Sequence, residues 1–269
     1  MTHSITQKEF ERIRGFFNQA SGIYLAYSKK VLVSGRLAKR LRVLGLSDFG
    51  AYMDHVESSA GAAERIHVID LLTTNETHFF REPKHFEFLC QALESPNGTL
   101  QRNGCTVWSA ACSTGEEPYS IAMLLTEVLG RRPWHILASD LSTKVLDEAK
   151  RAVYGPARAA EIPKDMAPKY CLFGTEEYEG MVLMDRSLRD RIEFMQINLM
   201  QPLPMVGPFD VVFLRNVLIY FDADAKRKIV DAVATRLKPG GLLFIGHSET
   251  LSGVSDKYTQ AMPTIYVKK

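Results

Sequence analysis

Two adjacent carboxylates, Glu116 and Glu117, directly follow the short turn Ser113-Thr114-Gly115. A third acid, Asp140, stands about twenty residues beyond that turn, the separation at which an acid takes ribose hydroxyls in a nucleotide-binding α/β unit. A phosphate loop brings several glycines and bare backbone N–H groups to an anion. Here there is one glycine, and carboxylates at that position repel a pyrophosphate. They suit a ligand that carries hydroxyls and positive charge. The same residues also admit a purely structural reading. Ser113 and Glu116 can form a capping box, both glutamates can complement a helix dipole, and Asp140 or Ser142 can cap the following helix.

The surrounding pattern supplies elements that would position these groups. Cys105 to Ala111 is a short apolar run that reads as a buried strand. After the turn, Pro118 falls in a first helical turn, where its missing N–H is harmless. Ile121, Leu124, Leu125, Val128 and Leu129 form one helix face, closed by Gly130. Trp134 to Ala138 is a second strand ending near Asp140, and a helix is expected over Lys144 to Val153. Further strands are expected over Ile192 to Ile197, ending at Asn198-Leu199, and over Phe209 to Leu214, ending at Arg215-Asn216. A helix from Ala225 to Leu237 is expected to close at Pro239-Gly240-Gly241. Leu242 to Ile245 follows as a strand, and Thr264 to Val267 as an edge strand. Strand ends therefore deliver Glu117, Asp140, Asn198, Arg215 and Asn216 to one crevice. S-adenosylmethionine, with ribose hydroxyls, an ammonium, a sulfonium and no phosphate, matches the charge of that crevice.

Residues 1 to 72 read as a small helical domain. Phe10, Ile13, Phe16 and Phe17 make a first stripe. In a second segment, Lys29 to Arg42, the apolar side is Val31, Leu32, Val33, Leu37, Leu41 and Val43. Its other side is basic: Lys29, Lys30, Arg36, Lys39, Arg40 and Arg42. Phe49, Tyr52, Met53 and Val56 predict a third helix, and Ile66, Ile69, Leu71 and Leu72 a fourth. The basic face is either solvated surface or a dock for an acidic protein surface. Nucleic acid is disfavoured, because no aromatics interleave the basic residues and the net charge is only +2. Residues 73–104 read as a linker and a helix, with Lys84 to Leu93 helical, and Leu71 to Pro83 suits a cover over a cofactor site. The catalytic domain, 105–269, carries an inserted antiparallel β-subdomain at about 165–190, from Tyr170 to Phe173 and Met181 to Met184. An exposed edge there could take a peptide by strand addition. The 269 residues are 46% hydrophobic and 24% charged, enough for a substantial core. The four cysteines are scattered without a C-x-x-C pair, so neither a zinc site nor a disulfide frame is expected. With no apolar leader or spanning run, a cytoplasmic location, no membrane insertion and a monomer are expected.

Four blocks together resemble the CheR family of chemotaxis receptor glutamate O-methyltransferases: Thr74 to Arg81, Ser109 to Ser120, Phe209 to Asp222, and Gly246 to Leu251. The resemblance follows the family's order and spacing and covers nearly the whole chain. It implies an α/β fold: a class I S-adenosylmethionine methyltransferase sheet, doubly wound and mostly parallel, with the small N-terminal helical domain and the inserted β-subdomain. It implies methyl transfer from S-adenosylmethionine to glutamates on the cytoplasmic helical domain of chemoreceptors, leaving S-adenosylhomocysteine. By motif, it places Asn75, Thr77 and Arg81 at the cofactor from the linker and Glu117 in its pocket. Asp140 would take the ribose, Asn198 and Leu199 the adenine, and Arg215 and Asn216 the methionine end. Tyr220 would lie by the methyl. Lys29, Lys30, Arg36, Lys39, Arg40 and Arg42 would face acidic receptor helices, and some members bind a receptor C-terminal peptide at the inserted sheet. A catalytically weak adaptor that binds receptors or regulators stays open as the alternative.

The chemistry agrees. A glutamate acceptor is ionised at pH 7, with a reference pKa of about 4.3, so no general base is needed. The protein must align the carboxylate oxygen, methyl and sulfur and exclude water. Arg81 or Arg215 is expected to orient the incoming carboxylate by charge-assisted hydrogen bonds. His78 and His247 are expected to be structural, and no metal is expected.

Overall fold

The computed structural model describes residues 4–95 and 104–269. The end of the expected segment 73–104 (residues 96–103) and residues 1–3 lie outside the described residues.

Four helices open the chain: α1 (Gln7–Ser21), α2 (Lys30–Leu44), α3 (Phe49–Glu57) and α4 (Ala62–Leu72). Thr6 and Glu9 close a capping box on α1, and Asp48 caps α3. Their core is Phe10, Ile13, Phe17, Val33, Leu37, Leu41, Tyr52, Met53, Val56, Val68 and Leu72. Two of the expected stripes need correction. In α2 only Val33, Leu37 and Leu41, spaced four apart, face the core, while Val31 and Val43 are exposed. In α4 Ile66 is exposed and Glu64 is buried, because Glu64 pairs with Arg40 and accepts the Tyr52 hydroxyl.

A linker, Thr73 to Glu82, leads into α5 (Pro83–Glu94). Next come β1 (Cys105–Ala110), α6 (Glu116–Leu129), β2 (Trp134–Asp140) and α7 (Thr143–Arg151), with Ser142 capping α7. β3 (Val153–Tyr154), α8 (Pro156–Ala159), α9 (Ala167–Tyr170), β4 (Cys171–Phe173), β5 (Val182–Met184) and α10 (Arg186–Arg189) follow. β3, β5 and β4 form a small antiparallel sheet. It recruits Val153–Tyr154, outside the expected span, because α7 stops at Arg151 and Ala152 turns the chain with φ 57°.

β6 (Ile192–Gln196), β7 (Phe209–Leu214), α11 (Ala223–Ala234), β8 (Leu237–Ile245), β9 (Tyr258–Met262) and β10 (Ile265–Lys268) complete the chain. The main sheet has seven strands in the order β6-β2-β1-β7-β8-β10-β9. From β6 to β8 every pairing is parallel, and β10 pairs antiparallel with β8 and β9. Two expectations fail here. Pro239-Gly240-Gly241 lies inside β8 rather than ending a helix. The ladder there jumps from Phe209↔Leu237 to Val211↔Leu242, an irregularity that absorbs the proline and glycines. Residues 264–267 are not at the edge, because β9 covers β10.

Alternate residues sort to the two faces. Val107, Val211, Phe213, Leu242 and Phe244 pack with α5 and α6, while Trp108, Val212, Leu214, Leu243 and Ile245 pack with α11. α6 is buried nearly all round, beyond the single face its spacing predicts. The strand order reverses at β1, between β2 and β7, so the crevice beyond their carboxyl ends is the natural ligand site of such a sheet. No helix among the described residues is long and apolar enough to cross a membrane.

Candidate active site at the strand tips

The turn after β1 is tightly coiled. Ala111, Ser113 and Gly115 all have positive φ, at 72°, 50° and 97°. At Gly115 a side chain would meet the Tyr154 hydroxyl and Ala149, so only glycine fits. The expected capping box between Ser113 and Glu116 does not form. Instead the Ser113 N–H donates to Asp140 Oδ2 at 2.9 Å, and its hydroxyl donates to the Asn75 carbonyl at 2.9 Å. Asp140 Oδ1 accepts the Ser142 N–H at 3.0 Å. Asp140 thus ties the tip of β1 to the tip of β2. Burial pushes its carboxyl above the usual range, with the backbone donors opposing.

The two glutamates diverge. Glu116 turns away from the cavity, fully buried, to Arg158 at 2.8 Å and the Thr114 hydroxyl at 2.7 Å. Glu117 faces the cavity. It accepts the Ser109 hydroxyl at 2.7 Å and Arg215 Nη1 at 3.0 Å. Burial raises its pKa despite Arg215.

Arg215 is itself buried, its guanidinium 5.9 Å from the ring centres of both Phe86 and Phe213. It donates to Glu82, to Glu117 and to the Arg81 carbonyl. A guanidinium so fully engaged has little left for an incoming carboxylate. The Arg81 Nη1 donates to the Glu76 carbonyl at 2.9 Å and its side chain lines the cavity.

The linker is held firmly. Phe79 is buried edge-on to Tyr154 at 4.9 Å between ring centres, and the Phe80 N–H donates to Ser120 Oγ at 2.9 Å. The linker also lines the cavity, through Thr73 to His78 and Arg81, where a cover over a ligand site was expected. Asn198 Nδ2 donates to the Ala20 carbonyl at 2.9 Å, fastening the end of α1 over the cavity. Tyr220 sits in a turn (Leu218–Tyr220), its carbonyl accepting the Tyr24 N–H at 3.1 Å. Burial raises its hydroxyl pKa, so it keeps its proton at neutral pH.

These groups surround one cavity of about 280 Å³. Asn75, Thr77, Arg81, Glu117, Asp140, Asn198, Leu199, Arg215, Asn216 and Tyr220 all line it. Of the expected docking residues only Lys29 does. Arg36 donates to the carbonyls of Leu71 and Thr73, and Arg40 grips buried Glu64 at 2.6 Å. These two serve the fold, which corrects the expectation that all six basic residues form one outward face. Lys39 and Arg42 are exposed. His78 lines the cavity but is half exposed, with Nδ1 near the Phe79 carbonyl, and His247 lies outside it.

Sequence reasoning missed one wall, Ile23 to Ala26, because an apolar loop after a helix carries no chemical signal. It also missed Glu249, whose carboxylate collects the N–H groups of Gly246, Asn216 and Ile219 and joins the tips of β7 and β8.

Comparison with known proteins bears directly on this cavity. Residues 75–267 match the family model for the CheR methyltransferase, SAM binding domain, and residues 8–73 match the CheR methyltransferase, all-alpha domain. The chain belongs to the CheR methyltransferase family. It is 40% identical over 266 residues to the chemotaxis protein methyltransferase of Escherichia coli (strain K12), covering 98% of this chain and 91% of that one. It is 39% identical to chemotaxis protein methyltransferase 2 of Pseudomonas aeruginosa, covering 97% and 93%. It is therefore an S-adenosylmethionine-dependent methyltransferase. The cavity fits that cofactor: the carboxyls of Glu117 and Asp140 both line it and suit a ligand that carries hydroxyls and positive charge.

Proposed function

We propose that the chain transfers the methyl group of S-adenosylmethionine to glutamate side chains on the cytoplasmic helical domain of chemoreceptors. The products are glutamate methyl esters and S-adenosylhomocysteine, formed during adaptation in chemotaxis. The observation that carries this reading is that one cavity is lined both by acids suited to a cationic nucleoside and by Arg81, a cation suited to an acidic acceptor. When bound, the cofactor supplies an electrophilic methyl on a sulfonium.

The protein's own part is binding and alignment. In this reading Asp140 holds the ribose, Asn198 and Leu199 frame the adenine, and Asn75, Thr77 and Glu117 hold the rest from two sides. Asn216 stands at the methionine end, where Arg215 fixes Glu117. Arg81 would orient the acceptor carboxylate toward the methyl that the cofactor would supply. Protonated Tyr220 lies beside the transferring methyl. No side chain needs to remove a proton, because the acceptor is already ionised.

The proposed division of labour follows the chain. Helices up to residue 72 present the substrate, the linker Thr73 to Glu82 covers the cofactor, and the strand tips within residues 105–269 carry the pocket. Lys29, Lys30, Lys39 and Arg42 would meet acidic receptor helices, the protein acting as a cytoplasmic monomer. A receptor C-terminal peptide would add as a strand at β4, where Leu172 and Phe173 are exposed.

The deciding experiment incubates the protein with methyl-labelled S-adenosylmethionine and chemoreceptor cytoplasmic fragments. Base-labile label on the receptor is expected. Receptor binding without any ester would instead identify an adaptor.

A further inference from the structure

We infer that Glu82 is a positioning residue for the methyl transfer: its carboxylate fixes Arg215 and, through it, the Arg81 backbone, aiming the Arg81 guanidinium into the cavity. This inference rests on the role proposed for Arg81.

Glu82 does not line the cavity, and its side chain is only 9% exposed. Yet it is the meeting point of three segments. Oε2 lies 3.2 Å from Arg215 Nη2, while Oε1 accepts Asn216 Nδ2 and the His247 N–H, both at 3.2 Å. Burial opposes ionisation of this carboxyl, but Arg215, the His247 N–H and Asn216 together hold its pKa below the usual range. The linker, the tip of β7 and the tip of β8 are thus joined through one charged side chain.

The backbone around Arg81 is unusual. Phe80 and Glu82 both have positive φ, 51° and 59°, although neither is glycine. Such conformations persist only where the surroundings over-determine them. Here the Phe80 N–H is held by Ser120, the Arg81 carbonyl by Arg215, and the Glu82 side chain by Arg215, Asn216 and His247. The result turns Arg81 into the cavity between two fixed neighbours.

His85 completes the cluster: its Nε2 lies 2.8 Å from the Thr264 hydroxyl, and its buried Nδ1, without a hydrogen-bond partner, lies 3.4 Å from Glu82 Oε2. Apolar residues would fill this space at less cost than a buried ionic cluster. The cluster's distinctive product is the direction of Arg81.

The test is Glu82→Gln. It keeps shape and one acceptor but sets an amide N–H₂ against Arg215. The expected result, per folded molecule, is a kcat for receptor methylation at least tenfold lower, with the dissociation constant for S-adenosylhomocysteine changed less than threefold. Backbone amides of residues 77–82 should also exchange hydrogen faster in the S-adenosylhomocysteine complex. If Glu82→Gln does not fold, Glu82→Asp, which keeps the charge but shortens the reach, gives the same readouts. Unchanged kcat with unchanged exchange overturns the inference. If the wild type forms no ester at all, the function proposed above fails, and exchange at residues 77–82 alone decides for or against the role of Glu82.

Discussion

Replacing Asp140 with alanine separates the two jobs that its carboxylate performs. One job is internal: Oδ1 and Oδ2 accept the N–H groups of Ser142 and Ser113 at 3.0 and 2.9 Å. Removing both acceptors leaves two buried donors unsatisfied, at ~1–3 kcal/mol for each. A loss of roughly 2–6 kcal/mol in folding stability follows, measured by denaturant unfolding of the protein without ligand. The other job is toward the ligand. A carboxylate that is 8% exposed at the cavity wall, accepting ribose hydroxyls, contributes about 1–3 kcal/mol as a charge-assisted hydrogen bond. The dissociation constant for S-adenosylhomocysteine should rise about 5- to 150-fold. Calorimetric titration well below the variant's unfolding temperature reads this second effect alone. Asparagine is a poorer probe, because its N–H₂ would face one of the two backbone donors. A stability loss with unaltered affinity would refute the ribose role and leave Asp140 as a tie between two turns.

Gly115→Ala should lower stability by ~1–3 kcal/mol in thermal or denaturant unfolding, because φ is 97° and the new methyl would lie 2.8 Å from the Tyr154 hydroxyl. Neutralising Lys39 and Arg42 together should raise the Michaelis constant for receptor and leave cofactor affinity unchanged. Arg40→Ala should instead destabilise the fold by ~3–5 kcal/mol, since it strands the buried carboxylate of Glu64. If Arg40→Ala acted only on receptor kinetics, the assignment of Arg40 to the fold would be wrong. Burial lowers the His85 pKa from 6.5 to about 4. The unfolded chain then takes up a proton that the folded chain refuses, so stability should fall by about 3 kcal/mol as pH drops from 6.5 to 4. A His85→Phe variant should show a flatter stability profile across that window.

The strand-turn-helix unit around Gly115 was legible in the sequence because each signal is local: an apolar run, one glycine, a proline in the first turn, then helical spacing. The convergence of Glu117, Asp140, Asn198, Arg215 and Asn216 on one cavity was legible because strand ends in a parallel sheet share one side. What failed depends on distant partners. Nothing near Glu64 announces that Arg40, on another helix, makes it a core residue. The Arg36 side chain resembled surface charge until the carbonyls of Leu71 and Thr73 came within reach. β3 has only two residues and directly follows a helix, so no period is visible. β9 is mostly exposed, which hides the alternation that would mark it as a strand beside β10. Pro239-Gly240-Gly241 looks like a helix stop because the irregularity that accommodates it in β8 exists only in the pairing with β7.

The central claim is that the tips of β1, β2 and β7, covered by the linker, hold the cofactor beside Arg81. A crystal structure of the protein soaked to saturation with S-adenosylhomocysteine tests it most directly. The ribose hydroxyls should lie within hydrogen-bonding distance of Asp140, with the thioether sulfur toward Arg81 and Tyr220. Density for the nucleoside at any other place, or none in this cavity, would contradict it.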